Sequence, residues 1–295
     1  MSLTLRGYAK INLTLEALAK RADGYHEIAT VIQTVSLADT LTFEPGEALA
    51  LSCNVPSLQS ADNLALRAAS LLREETGCLK GASIRLTKEI PVAAGLGSGA
   101  TDAAATLVGL NRLWQLNLPP QRLMELAADL GSDVPFFLCG GTVLAKGRGE
   151  KVIPLPPARE TWMVLLRPAI EPVPGKTARL YSQLNTSHFT SGQSTERLVD
   201  HLHEGESIND SLLFNVFEQV AFDFFPRLFH YRTRFLRAGA ASVHLAGAGS
   251  TLFALVPDEA QGKTILSNLE ADGLEGYLVR TVKAVPLEAV RDRQC

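Results

Sequence analysis

Pro91-Val92-Ala93-Ala94-Gly95-Leu96-Gly97-Ser98-Gly99-Ala100-Thr101-Asp102 is the stretch on which the reading of this 295-residue chain turns. It places Gly95, Gly97 and Gly99 between an alternating segment, Ser83 to Ile90, and a segment of helical spacing, Ala103, Leu107, Leu110 and Trp114. Glycine lets a backbone approach a ligand closely and take positive φ. A helix start presents unpaired N–H groups and the positive end of its dipole. Together these predict an anion site suited to phosphate. Ser98 and Thr101 add hydroxyls as candidate ligands for phosphate or Mg²⁺.

Gly95-x-Gly97-x-x-Ala100 also matches the dinucleotide fingerprint, but its surroundings do not. A Rossmann first strand is apolar on both faces, whereas Ile84-Arg85-Leu86-Thr87-Lys88-Glu89 is polar at alternate positions. The helix is followed by a second one, opened by Pro119-Pro120 and closed by Gly131, where a βαβ unit needs a strand. No Gly-Lys-Ser/Thr closes the loop as a Walker A motif would.

Upstream, Leu3 to Tyr8, Ile11 to Leu18 and Glu27 to Ser36 read as half-buried strands around a turn at Ala22-Asp23-Gly24-Tyr25. Asp62 is the expected N-cap of a helix through Leu72 that stops at Gly77. Downstream, Pro154-Leu155-Pro156-Pro157 marks the domain boundary, giving domains 1–157 and 158–295. Beyond it come a strand at Trp162–Leu166, a helix at Lys176–Leu184 and further helices to Arg237. Strands near Ser242–Ala246 and Thr251–Val256, a helix over Asp258–Leu269 and a strand near Tyr277–Val282 complete the order. Without the extra helices this is β-α-β-β-α-β, a ferredoxin-like split unit, and both halves are α+β.

Lys plus Arg is 28 against 31 for Asp plus Glu, a net charge of -3 that disfavours phosphate-neutralising nucleic-acid binding. The four cysteines, 53, 78, 139 and 295, show no metal spacing and point to a reducing cytoplasm. Ala238 to Pro257 lacks full charges, yet its glycines, serines and His244 read as strand, turn, strand rather than a membrane span.

Five further segments share the chain with the glycine loop. They are Ala9-Lys10-Ile11-Asn12, Asp23-Gly24-Tyr25-His26, Gly131-Ser132-Asp133-Val134-Pro135-Phe136-Phe137, Gly140-Gly141-Thr142 and Leu245-Ala246-Gly247-Ala248-Gly249-Ser250-Thr251. In this order and spacing, from Tyr8 to Phe253, the sequence resembles the GHMP small-molecule kinases. The Ala9–Asn12 segment paired with Asp23–His26, together with Asp133–Phe137, points to the branch acting on a cytidine diphosphate derivative of methylerythritol. The resemblance implies a two-domain fold, the first domain like the second domain of ribosomal protein S5 and the second ferredoxin-like. It also implies transfer of the γ-phosphoryl of ATP, with Mg²⁺, to a small-molecule alcohol, and neither nucleic-acid nor membrane partners.

Carried over residue by residue, Pro91, Val92, Ala93, Ala94, Gly95, Leu96, Gly97, Ser98, Gly99, Ala100 and Thr101 would wrap the ATP phosphates. Asp133 would be the general base and Lys10 its cationic partner. Tyr25 would stack on the cytosine, His26 would hydrogen-bond it, and Asn12 would lie beside the methylerythritol. Pro174 to Tyr181 looks like the stretch that supplies a second aromatic wall, with Thr177 and Tyr181 on the substrate. The family's metal ligands are not legible here. Asp133 also fits a plain helix cap, and Tyr181 fits core packing equally well. The family loop usually reads Gly-Leu-Gly-Gly-Gly-Ser-Ser-Asn. Ala100 therefore lacks a hydroxyl, and Asp102 places a carboxylate near phosphate, repulsive unless it faces Mg²⁺ or a cation. Asn215-Val216-Phe217-Glu218 departs from a usual Asn-Asp-Leu-Glu and is assigned no chemistry. The phenylalanines Phe214, Phe217, Phe222, Phe224, Phe225 and Phe229 read as core, Arg227, Arg232, Arg234 and Arg237 as a solvated face, and Cys139 as a buried small hydrophobe. The rivals are a kinase of the same family for mevalonate or homoserine, and a nucleotide-binding module without activity.

Overall fold

β1 (Leu3–Lys20) and β2 (His26–Gly46) form a long antiparallel ribbon in the computed structural model, which describes residues 2–171 and 173–283. Cys295 and the last part of the expected second domain, 284–295, lie outside the described residues. The ribbon pairs Leu3 with Phe43 at one end and Lys20 with His26 at the other. Its turn is closed by Arg21 N donating to Tyr25 O at 2.8 Å, with Gly24 at φ +86. The two strands expected at Leu3–Tyr8 and Ile11–Leu18 are therefore one, and the strand from Glu27 continues past Ser36. Register shifts at Tyr8/Ala9, Asn12/Thr14 and Ala17/Ala19 kink the ribbon without ending it.

The order continues with β3 (Leu49–Cys53), α1 (Leu64–Thr76), β4 (Gly81–Thr87), α2 (Ser98–Leu113), α3 (Pro120–Leu130), α4 (Val134–Cys139), β5 (Thr142–Gly147) and β6 (Lys151–Pro154). The first sheet runs β3-β4-β2-β1. β4 pairs with Thr40–Gly46 of β2, while β5 pairs with Ile28–Gln33 and carries β6. The four helices cover this sheet over a core containing Leu5, Phe43, Ile84, Leu107, Leu126 and Phe136. Asn63, not Asp62, caps α1, its side chain accepting from Ala65 N at 2.8 Å, and Gly77 at φ +64 ends the helix. Asn63 has the extended backbone of a cap, and Asp62 precedes it by one residue.

After Pro154 come β7 (Trp162–Arg167), α5 (Lys176–Gln183), α6 (Gln193–His203), β8 (Phe214–Asn215), α7 (Glu218–Phe224), α8 (Arg227–Arg237), β9 (His244–Leu245), β10 (Leu252–Val256), α9 (Glu259–Ala271) and β11 (Glu275–Arg280). The second sheet has the order β11-β7-β10-β9, which is the 4-1-3-2 order of a split βαβ unit. β8 instead joins the first sheet, pairing in parallel with Thr14 and Leu15 of β1.

The sheets meet through a shared apolar cluster. Ala9, Ile11 and Leu13 of β1 pack with Met163, Leu165 and Phe253 of the second sheet. Fully burying a side chain such as Ile11 contributes roughly 1.5–3 kcal/mol relative to exposure, so apolar packing holds this seam. The alternating polar residues of β1, Lys10, Asn12, Thr14 and Glu16, are buried as well. That overturns the half-buried expectation for the strand, because the second half of the chain covers what would otherwise be its wet face. Two smaller expectations fail: Phe229 is 64% exposed while Leu228, Tyr231 and Phe235 take the buried side of α8, and Cys139 is only half-buried. Among the described residues, no helix is long and apolar enough to cross a membrane.

Candidate active site

The residues after β4 form a loop that lies on β1 and against a second glycine turn. Lys10 N donates to Leu96 O at 3.0 Å, and Thr251 N donates to Ala94 O at 3.1 Å. Gly95 has φ +88, and a Cβ there would lie 2.1 Å from Ala246 O. Gly97 has φ +76, and a Cβ there would lie 2.3 Å from the Phe137 ring and 3.1 Å from Lys10 Cγ. These glycines are required by backbone sign and by contact with protein, not only by the approach of a ligand. Thr101 N donates to Gly97 O at 2.9 Å. The N–H groups of Ser98, Gly99 and Ala100, in the first turn of α2, have no acceptor within the helix, the arrangement an anion cradle requires.

The side chains expected to assist this cradle turn inward. Ser98 Oγ donates to Ile90 O at 3.4 Å, and Thr101 Oγ1 is buried beside Gly7, so neither hydroxyl is the exposed phosphate or metal ligand expected. Ala100 packs against the first core. Asp102 meets a cation, as its position demanded: Lys88 Nζ donates to it at 2.6 Å, and also to Asp39 and, at 3.3 Å, to Ser98 O. Asp39 further accepts from Glu89 N at 2.7 Å and Ile90 N at 2.9 Å. Burial pushes the Asp102 carboxyl up to about 8; Lys88 opposes this and Asp39 adds to it. A protonated Asp102 reduces the negative charge buried beneath the phosphate loop.

Lys10 and Asp133 converge from different elements. Lys10 Nζ lies 3.8 Å from Asp133 Oδ2 and donates to Asn12 Oδ1 at 2.6 Å; Asn12 Nδ2 donates in turn to Thr30 Oγ1 at 2.8 Å. Lys10 is buried, whereas the Asp133 side chain is half exposed. Asp133 precedes α4 but makes no side-chain cap, so helix capping does not account for it. The second turn presses on the pair: a Cβ at Gly247 would lie 3.1 Å from Lys10 Nζ and 3.2 Å from Asn12 Oδ1. Asn215 Nδ2 holds that turn through Leu245 O at 2.8 Å and Gly247 O at 2.9 Å, and Glu218 accepts from Leu245 N at 2.8 Å. Asn215 and Glu218 thus shape the turn's backbone, a role their sequence did not reveal.

At the ribbon's turn, His26 is buried and stacks on Tyr181, with ring centroids 4.9 Å apart and planes 18° apart. Among the described residues its buried Nε2 has no partner. Burial, with Lys20 adding to it, lowers the His26 pKa and favours the neutral ring. Burial, with Asp133 adding to it, raises that of Tyr181 and keeps its phenol protonated. Tyr25 is 53% exposed, with the Arg148 guanidinium 4.9 Å from its ring centroid. Thr177 is exposed on the first turn of α5. Its neighbour Lys176 is a further residue missed by sequence reasoning: Nζ donates to Ala93 O at 2.7 Å and to Gly249 O. A larger cleft of about 460 Å³ lies elsewhere, along α6, and holds none of the expected site residues. The convergence of side chains at the glycine loops, not cavity size, identifies the site.

The comparisons with known proteins bear on the family and the fold. The family model described as GHMP kinases N terminal domain matches residues 63–141, and that described as GHMP kinases C terminal matches 199–274. The chain is 46% identical over 280 residues to a 4-diphosphocytidyl-2-C-methyl-D-erythritol kinase of Dehalococcoides mccartyi, covering 95% of this chain and 98% of that one. It is 41% identical to the protein of the same name from Symbiobacterium thermophilum, covering 93% and 98%. A crystal structure of 4-(cytidine 5'-diphospho)-2C-methyl-D-erythritol kinase is similar with TM-score 0.80 at 34% identity, covering 95% of this chain and 99% of that one. Homoserine kinase from Cytophaga hutchinsonii shares the fold, with TM-score 0.72 at 19% identity, covering 98% of this chain and 97% of that one.

Proposed function

The chain belongs to the GHMP kinases, and from that membership we propose that it phosphorylates the 2-hydroxyl of 4-diphosphocytidyl-2-C-methylerythritol with ATP, a step of the non-mevalonate route to isoprenoid precursors. The observation that carries the reading is the meeting of Lys10 and Asp133 at 3.8 Å where the two glycine turns dock. The orphaned Nε2 of His26 supplies the polar group a nucleobase needs.

Phosphoryl transfer asks a protein for positioning and charge stabilisation more than for covalent chemistry. The free N–H groups at the start of α2 bind the phosphates of MgATP, and the metal arrives with that substrate to neutralise phosphoryl charge. Asp102 is not a metal ligand, being held by Lys88. Asp133, open on one side, accepts the proton of the substrate hydroxyl as the bond to phosphorus forms. Lys10 holds that carboxylate in place and is itself held by Asn12. Asn12 lies beside the methylerythritol. His26 pairs with the cytosine edge, and Tyr25 and Tyr181 supply its aromatic walls, with Thr177 at the rim. The setting is the cytoplasm, with a small molecule as the only partner required.

ADP release measured with MgATP and each of three alcohols tests the reading. The cytidine diphosphate derivative of methylerythritol is expected to be turned over, and mevalonate and homoserine are not. Comparable turnover of either of those, or of none of the three, would overturn it.

A further inference from the structure

Lys176 stands where the two glycine turns touch, and the mechanism above does not use it. Its ammonium joins carbonyls from opposite sides of the seam: Ala93 O of the phosphate loop, at 2.7 Å, and Gly249 O of the second turn. Ala93 has φ +55, a left-handed conformation that is costly for a residue with a Cβ. The bond from Lys176 is a local contact that holds it there. The same contact sorts the loop's dipoles. An anion cradle needs N–H groups facing the phosphate and carbonyls facing away, and Lys176 gives two carbonyls a partner away from the cradle.

We infer that Lys176 is a positioning residue for the triphosphate, its charged ammonium locking the phosphate loop onto the second glycine turn. This rests on the kinase reading. Among the described residues, Lys10 of β1 acts on the Lys176 charge, while Arg167 of β7 and Glu171 line with it a cavity of about 70 Å³ that also includes Ala93, Ala94 and Ser250. Burial, with Lys10 adding to it, lowers the Lys176 ammonium to about 8, so its charge fades just above neutral pH.

The test compares wild type, K176M and K176R by calorimetric binding of MgATP, KM for each substrate and the pH profile of kcat/KM for ATP. K176M is expected to weaken MgATP binding by about ten- to a hundredfold, the worth of a charge-assisted hydrogen bond, with KM for the cytidine substrate little changed. Wild-type kcat/KM for ATP is expected to fall as pH passes about 8. K176R should recover most of the affinity and move that fall to higher pH, because guanidinium stays charged. Unchanged MgATP affinity in K176M would overturn the inference. So would parallel loss of both substrates along with the melting temperature and no rescue by arginine. A wild type that binds MgATP but does not phosphorylate the cytidine alcohol would sink the kinase reading alone, and the binding comparison would still decide the role of Lys176. A wild type that binds no MgATP would overturn both.

Discussion

The end proposed to hold phosphate and the end proposed to hold a nucleobase are built from different materials. Around residues 93–102 the groups proposed to meet the ligand are backbone N–H, and the side chains turn inward, as Asp102 and Thr101 do and as Lys88 does toward Asp39, Asp102 and Ser98 O. Around residues 25 and 26 the groups are side chains with capacity to spare: an exposed tyrosine and a buried histidine nitrogen without a partner. Phosphate is common to every kinase substrate pair, so its site can be assembled from groups that carry no choice of partner. A base must be told from other bases, and a buried donor or acceptor left unpaired by the wrong one discriminates by its desolvation cost.

The largest effect expected lies between the two ends. Asp133→Asn keeps shape but removes the proton acceptor, so turnover should fall by about 10² to 10⁴ while both substrates still bind within a few-fold. Turnover above about a tenth of wild type, well outside that range, would leave Asp133 as no more than a residue before a helix.

At the phosphate end, Gly97→Val forces a branched side chain into φ +76 and onto the Phe137 ring. The rise in melting temperature that MgATP gives the wild type by linkage should vanish. NAD should raise it in neither protein. Because the clash is with protein, the unliganded melting temperature should fall too, and a variant of unchanged stability would contradict the packing described.

At the nucleobase end, His26→Ala should weaken the cytidine substrate by about ten- to a hundredfold, the worth of one strong hydrogen bond, and barely change MgATP affinity. Equal losses for both ligands would erase the distinction between the two ends.

The remaining effect is on stability and leaves the choice between the two ligands untouched. Asp102 has a raised pKa in the folded protein, so between about 4 and 8 the folded state holds a proton that the unfolded chain has released. Stability is therefore lost as pH rises through that window, by up to about 1.4 kcal/mol per pH unit for one proton. Asp102→Asn, which is neutral throughout, should flatten the slope and gain on wild type as pH increases. Denaturant titrations at several pH values read this directly, and parallel profiles would mean that Asp102 is ionised beside Lys88.

Short-range features were legible in the sequence and long-range ones were not. The glycine loop, the turn at residues 22–25 and the helix ends at Pro120 and Gly131 are set by local backbone chemistry and lie where their residues indicate. Lys10 and Asp133 were singled out by the motifs around them, although 123 positions separate them in the chain. Lys88 and Lys176 carry no such mark. Each looks like a surface lysine until the fold brings it to Asp39 or to Gly249, 49 and 73 residues away. Burial along β1 was misread for the same reason. Alternation reports two different faces, but here the second face meets protein instead of water.

β8 has a consequence for synthesis. Its two residues leave the second half of the chain to lie beside Thr14 and Leu15 of β1, and Asn215 carries the contact on to the second glycine turn. At about 5–20 residues per second, the roughly sixty residues between the end of β6 and β8 take some 3 to 12 seconds to emerge from a ribosome. Throughout that interval the rest of the first sheet is already synthesised, but this stretch of β1 is paired on one side only, with Thr30 and Val31 of β2, and its other side is an open edge of the kind that invites wrong partners. The nascent chain is thus most exposed to misassociation at the strand that carries Lys10, and it becomes competent to bind substrate only after its vulnerable edge is covered.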